Sequence, residues 1–290
     1  MGWGPVKPPP FDLVQPGTLV EALVALDAEP DAAVLAGGQS LLQDLRWRRF
    51  APPLVVDVGG VAELRGVTVD DDTVRLGALV RHVDLERGAV PGPLGTLLAE
   101  TAGWIAHPPI RSRGTFAGSL AWAHPAAEWT AVAAALDAQV ELASRAGYRT
   151  LPAAEFLHGP GATARRPGEL IIAVTLPVLG EGTATGVAEH RRTHASFAHV
   201  AVVAAVDTEG DEVVRAHLGV AGAAPTARRA HAAEEALLDG GGPAAAADAV
   251  GEDIDPVEHP HADVDYTRHV AAVLVRRVLE RLLDGDREAA

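Results

Sequence analysis

The stretch IRSRGTFAGSLAWAHPAAEW, residues 110–129, sets two arginines, two glycines, a threonine and two serines ahead of an alanine-rich helical pattern. Far upstream, VLAGGQSLL, residues 34–42, has the same order: an apolar run, small flexible residues, a hydroxyl, then a helical pattern. Adjacent glycines accept positive φ and let the backbone approach a ligand with no Cβ in the way. Successive N–H groups in such a turn form a concave anion seat, and a following helix adds the positive end of its dipole. In the second stretch, Arg111 and Arg113 add local positive charge and Thr115 and Ser119 add hydroxyl donors. Gly114 and Gly118 leave room there for close approach. Taken alone, each loop reads more simply as a strand-to-helix turn. Two of them, both before helices in one half of the chain, fit a diphosphate gripped from two sides. Neither is the Gly-x-Gly-x-x-Gly pattern, so a Rossmann fold draws no support from them.

The totals narrow the possibilities. A chain of 290 residues with 48% apolar and 22% charged residues has ample material for a core and fits about two domains. Twenty-four basic against 39 acidic residues give a net charge of −15, which argues against nucleic acid as a partner. Any anionic ligand must be held locally against that field. With no cysteine, the chain can supply no disulfide, thiolate nucleophile, iron–sulfur ligand or thiolate-bound zinc. That suits a reducing cytoplasm, the expected location. The N-terminal MGWGPVKPPP lacks the apolar core of a secretory signal. No apolar run approaches the roughly 18 residues that span a bilayer, so no membrane span is expected.

Periodicity predicts an α+β organisation. Thr18 and Glu21 fit a capping box ahead of a helix. AAVLAGG and PPLVVDVGG read as buried strands around the short helix SLLQDLRWR, a first βαβ-like unit ending near Val61. GVTVDDDTVRLGA alternates about an acidic hairpin tip. GPLGTLLAETAGWIA and AAEWTAVAAAL read as helices, while AQVELAS, GYRTLPAAEFL and GELIIAVTLPV bring further strands and a short turn or helix. Pro and Gly at residues 176–186 mark a boundary. Beyond it come two strands across an acidic Gly turn, then TARRAHAAEEALL and YTRHVAAVLVRRVLERLL as amphipathic helices with basic faces. Those faces and the acidic surface are candidates for subunit docking.

The remaining motifs carry less. HLGVAGAAP, residues 217–225, reads as a tight turn before it reads as a nucleotide loop. No His-Glu-x-x-His or Gly-x-Ser-x-Gly pattern occurs. His190, His194 and His199 could lie near one another but fit no single face, and His259 and His261 sit in a Pro-rich acidic loop.

At the two glycine loops the chain resembles the FAD-binding medium subunit of the molybdenum hydroxylases, the group that includes bacterial carbon monoxide dehydrogenase and xanthine dehydrogenase. LAGGQSLL, LVVDVGGVAELRGV and IAHPPIRSRGTFAGSLAWAHPAAEW carry the resemblance. GELIIAVTLP, RRTHASFAHVAVV and LGVAGAAPTARRAHAAEEAL continue it in family order, from about residue 10 to 285. It implies a two-part FAD-binding domain of the vanillyl-alcohol-oxidase (PCMH) type over residues 1–177, with subdomains of about 1–60 and 61–177. An α+β C-terminal domain over 183–285 follows. By resemblance, both loops wrap the FAD pyrophosphate. Ala36, Gly37, Gly38, Gln39, Ser40 and Leu41 form the first, and Thr115, Ala117, Gly118 and Ser119 the second. His107 upstream and Glu128 downstream are lesser candidates. Ala117 stands where the family usually has a glycine, His124 where it has an aspartate that contacts the cofactor, Trp122 for a His or Thr, and Ser196 for an aspartate.

The resemblance further implies partners: a small subunit with [2Fe–2S] clusters and a large subunit with molybdenum–pterin, assembled as a dimer of heterotrimers. The metals would lie on those chains, in keeping with the missing cysteines. Two alternatives remain at this level, a stand-alone FAD-dependent oxidase or reductase using His107, His124 or His194 as base, and a non-catalytic relative that kept the fold.

Overall fold

The computed structural model of the protein describes residues 7–258 and 262–289; His259 and His261 lie outside the described residues. The N-terminal part opens with a three-stranded parallel sheet in the order Asp12–Val14, Leu54–Asp57, Ala33–Leu35. Parallel neighbours need crossovers, and the helices Leu19–Ala28 and Leu41–Arg46 lie in those connections. The strand Asp12–Val14 escaped the sequence reading because it is three residues long and exposed throughout, so it has no buried face to betray it.

The first helix starts as its capping box predicts. Thr18 Oγ1 accepts from Glu21 N at 3.2 Å, and Glu21 Oε2 accepts from Thr18 N at 3.2 Å. Thr18→Ala is expected to lower stability by about 1 kcal/mol, the usual worth of an N-cap. A reduced denaturant midpoint at unchanged slope would register it.

The second sheet is antiparallel, in the order Val67–Val69, Thr73–Gly77, Leu170–Pro177, Gln139–Ser144, Gly147–Pro152. Asp70 organises the hairpin tip: its Oδ1 accepts from Thr73 N at 2.7 Å and from Asp72 N at 3.1 Å. The third sheet is also antiparallel, in the order Ala184–His190, Val200–Glu209, Glu212–Ala221, Arg228–Arg229. Among the described residues, no helix is long and apolar enough to cross a membrane.

The strand Val200–Glu209 explains its own unbroken apolar run. Successive side chains of a strand face opposite ways. Ala201, Val203 and Ala205 join the core of the N-terminal part, while Val200, Val202, Ala204 and Val206 join a second core with the C-terminal helices. A strand buried on both faces has no polar alternation. The helix Glu128–Ala135 lies against this sheet with all eight residues buried. The long helix Val264–Ala289 covers the other face through Val270, Leu274, Val278 and Leu282 among others, at the three- and four-residue spacing of one stripe.

One expectation about the C-terminal helices needs correction. The pattern TARRAHAAEEALL is not all helix: Arg228–Arg229 pair as a strand with Gly219 and Val220, and the helix begins only at His231, running through Ala236 and into the π-helical turn Leu237–Gly241. The basic faces are largely spent within the chain. Arg229 Nε donates to Glu234 at 2.9 Å, Arg268 to Gly251 O at 2.8 Å and Arg276 to Glu280 at 2.6 Å. Arg281 spans Glu100 at 3.2 Å and Val187 O at 3.0 Å. Arg276 and Arg281 nonetheless stay more than half exposed, at 59% and 53%.

Candidate functional site

The first glycine loop leaves the strand Ala33–Leu35 and turns at Gly38, whose φ of +75° suits glycine. Ser40 O then accepts from Gln43 N at 3.0 Å and from Asp44 N at 3.1 Å, which starts the helix Leu41–Arg46. Gln39 braces the turn by donating its amide to Gly37 O at 3.0 Å. Among the described residues, no acceptor within the chain takes the backbone N–H groups of Gly37, Gly38, Gln39 or Ser40. They form a row of donors.

The second loop is fixed from behind. His82 N donates to Gly114 O at 3.0 Å and Phe116 N to Val80 O at 3.1 Å, bridging Arg81 to Thr115. Thr115 caps the helix Phe116–Trp122, its Oγ1 accepting from Gly118 N at 3.0 Å. Arg111 does not supply the loose positive charge expected of it. Its guanidinium forms a two-pronged bridge to Glu86, 2.8 Å on each arm, and donates to the carbonyls of Ile105 and Ala106. It props the turn through Ala106, whose φ of +42° is strained for alanine.

The two loops touch. A Cβ on Gly37 would lie 2.3 Å from Arg113 O and 2.7 Å from Gly114 Cα, and one on Gly114 would lie 2.4 Å from His82 Nε2. These glycines serve first to bring the loops against one another; the space for a ligand lies beside the junction. Next to it are a cavity of about 310 Å³ and one of about 230 Å³, which share Ala36 and Gly118 in their linings. A third of about 210 Å³ meets them at Ala36 and carries Arg65, Arg81 and Arg113. The result is an elongated cleft with donor-rich backbone at its waist.

Most residues named from the sequence border this cleft. Ala36, Gly37, Gly38, Gln39, Ser40, Thr115, Gly118, Ser119 and Glu128 line the larger cavity, while Leu41 and Ala117 line the second. The Ala117 side chain is buried in the apolar core there. His107 and His124 line neither cavity. His107 faces His194, ring centroids 5.7 Å apart, and His124 joins a three-ring cluster with Phe197 at 4.0 Å and Trp122 at 4.9 Å, those two being 5.5 Å apart. Phe197 and Trp122 in turn wall the larger cavity, so His124 backs the wall rather than forming it. His190 lies by His199, 5.9 Å between ring centroids, and apart from the His107–His194 contact. Among the described residues, no group of three or more His, Asp or Glu is placed to hold a metal.

Several wall residues lie outside the two glycine loops. His82 comes from the helix His82–Glu86, buried; its Nδ1 accepts from Trp129 Nε1 at 2.8 Å. Burial, with the Arg111 charge nearby, pushes its pKa down to about 3, so the ring is neutral. Ala195, Ser196 and Phe197 arrive from the C-terminal part, with Ala195 at φ +61°. Two carboxyls are buried here, Glu128 in the wall of the larger cavity and Glu189 outside its lining. Burial raises Glu128 to about 7. Glu189 is raised to about 8 by burial first and by repulsion from Glu128 second, with Arg191 pulling the other way. Both Glu189 oxygens are buried without a hydrogen-bond partner. Arg191 stands 3.9 Å away, occupied in donating to Trp104 O at 2.8 Å and lying over the Trp104 ring. One signal was available: period two places Glu189 on the same face as Val187, which belongs to the N-terminal core.

Residues 9–179 match the family described as the FAD binding domain in molybdopterin dehydrogenase, and residues 187–282 match the CO dehydrogenase flavoprotein C-terminal domain. The chain belongs to this flavoprotein family. It is 38% identical to the 6-hydroxypseudooxynicotine dehydrogenase complex subunit alpha of Paenarthrobacter nicotinovorans, over 96% of both chains. It is 31% identical to the carbon monoxide dehydrogenase medium chain of Hydrogenophaga pseudoflava, over 94% of this chain and 96% of that one. A structure of that organism's carbon monoxide dehydrogenase superposes with a TM-score of 0.90 at 32% identity, covering 96% of this chain and 98% of that chain. Quinoline 2-oxidoreductase from Pseudomonas putida 86 does so with 0.88 at 29% identity, covering 96% and 99%. The flavoprotein is therefore an oxidoreductase subunit with the α+β architecture expected, and its cofactor is FAD. The cleft fits that cofactor: a dinucleotide is long, and its central diphosphate needs many donors. The uncommitted N–H groups at the waist, with cavities next to them, meet both needs.

Proposed function

We propose that this chain is the FAD-carrying medium subunit of a molybdenum hydroxylase complex. In it, electrons pass from the [2Fe–2S] clusters of a small subunit, by way of the flavin, to an external acceptor such as NAD, a quinone or oxygen. The observation that carries this reading is the contact between the two glycine loops, with two cavities beside it. FAD supplies the chemistry, accepting electrons singly or in pairs; the protein supplies position and electrostatics. The N–H groups of Gly37 to Ser40 bind the pyrophosphate, and the Gln39 amide keeps that row in place. Thr115, Gly118 and Ser119 close on it from the other side, and Trp122, Ile105 and Phe197 exclude water from the larger cavity. His82 stays neutral and sets no positive charge in the wall. The carboxyl of Glu128 holds or releases a proton near neutrality at the cavity edge.

The FAD-binding part corresponds to residues 1–177, with subdomains of about 1–60 and 61–177, and the C-terminal domain to 183–285. Molybdenum–pterin belongs to a large subunit, and the assembly is a dimer of heterotrimers in the reducing cytoplasm. A second reading draws on Glu128 alone: a buried carboxyl at the cavity wall could serve a stand-alone oxidase as its base. Purification from the native host separates the two. The complex predicts flavin absorbance with molybdenum and iron on two further chains; flavin with neither metal would favour the stand-alone enzyme. No flavin bands, even after added FAD, would leave neither standing.

A further inference from the structure

The helix Leu41–Arg46 begins at the first glycine loop and runs out into an exposed patch of arginines and aromatic residues, only Phe50 of which borders the cofactor cleft. Arg46, Trp47, Arg48, Arg49 and Phe50 are five consecutive exposed residues, three of them cationic, in a chain of net charge −15. Trp47 is 60% exposed, Leu42 49% and Phe50 44%. Water-facing apolar residues of this size, set among arginines, are the composition of interface hot spots. The positive charge is only partly committed. Arg49 meets Asp44 at 3.6 Å and Arg48 donates to Lys7 O at 3.2 Å. Arg46 has no partner among the described residues.

Position gives the patch its meaning. Phe50 is both exposed and part of the wall of the second cavity, where Leu41 joins it. The six-residue helix between the glycine loop and the patch is about 9 Å long at 1.5 Å per residue. A partner seated on Trp47 and Phe50 therefore meets a residue of the cleft wall directly.

We propose that residues 42–50 are the docking surface for the electron-donating iron–sulfur subunit, which presents to it an acidic face with an apolar centre. The proposal rests on the reading of the chain as the flavoprotein of a molybdenum hydroxylase. Charge complementarity selects the partner. The net acidity of this chain repels an acidic protein in general, and a local basic patch eases that repulsion and favours encounter there. Trp47 and Phe50 then supply the desolvated contact. A donor docked there lies against the cleft, the arrangement that transfer of electrons to a buried cofactor requires.

The test uses the full chain with FAD and the purified small subunit of the same complex. Arg46→Glu with Arg49→Glu, and separately Trp47→Ala, are compared with the wild type by calorimetric titration. Flavin content is read from absorbance, so that a misfolded variant is recognised. Each variant should keep its flavin and weaken the association by about tenfold or more. Wild-type affinity should fall with added salt, and that of the charge-reversed variant much less. Variants that bind the small subunit within about twofold of wild type would overturn the proposal while leaving the flavoprotein reading intact. So would a loss confined to self-association of this chain. A wild-type chain that holds flavin yet binds no small subunit would instead overturn the reading beneath it.

Discussion

Gly37→Ala is expected to strip the purified protein of its FAD. The added Cβ would lie 2.3 Å from Arg113 O and 2.9 Å from Arg113 C, backbone atoms that cannot swing aside as a side chain can. The loops must part, and the donors on one no longer face the same phosphates as those on the other. Overpacking of this kind costs roughly 1–3 kcal/mol or more, and its upper end corresponds to about a hundredfold in affinity. Titration of the apoprotein with FAD, followed by flavin fluorescence, measures it. Gly103→Ala is the control: that position is exposed in the helix Gly92–Trp104, and its Cβ meets nothing within 4 Å. It should keep full affinity and gain about 0.5–1 kcal/mol from helix propensity. Equal affinity in both variants would mean that loop contact is irrelevant to the cofactor.

Glu189→Gln is expected to stabilise the protein at alkaline pH. An acid whose pKa rises on folding contributes stability below its unfolded value and loses it as pH climbs through the folded one. Glu189 starts from 4.5 and is raised to about 8. The loss therefore accumulates between those limits at about 1.4 kcal/mol per pH unit, a few kcal/mol in all. Glutamine keeps the shape and has no proton to lose. Thermal midpoints of wild type and variant should nearly coincide near pH 5, then separate in favour of the variant toward pH 9. Glu128, raised to about 7, leaves a residual decline in both. On the acid side His82 acts in the opposite sense. Its neutral ring contributes stability above 6.5, lost as pH falls toward about 3. Parallel alkaline declines in the two proteins would show that Glu189 holds no proton at neutrality.

Much of this architecture is written locally. The capping box at Thr18, the hairpin about Asp70 and the two glycine turns each depend on residues a few positions apart, so their chemistry can be read in order along the chain. The strand at Val200 was legible as buried but not as a wall between two cores, because a continuous apolar run does not say what lies on each face. The basic residues 228 and 229 misled for a related reason. Arg229 is satisfied by Glu234 close by and by Asp137, far away in the chain.

The candidate site divides the same way. Its backbone donors were legible because glycine and hydroxyl residues in a turn carry their purpose in their own geometry. Its walls were not. His82 is neutral because Trp129 donates to it and the core encloses it, and Glu189 is raised because it shares a buried region with Glu128. Sequence by itself determined the elements, the two loops and the absence of any metal-binding thiol on this chain. Only the tertiary structure decided that the loops meet, that Arg111 is spent on Glu86, and that the carboxyls of Glu128 and Glu189 are buried. Burial and pairing are properties of what surrounds a side chain, and those surroundings come from residues tens of positions away.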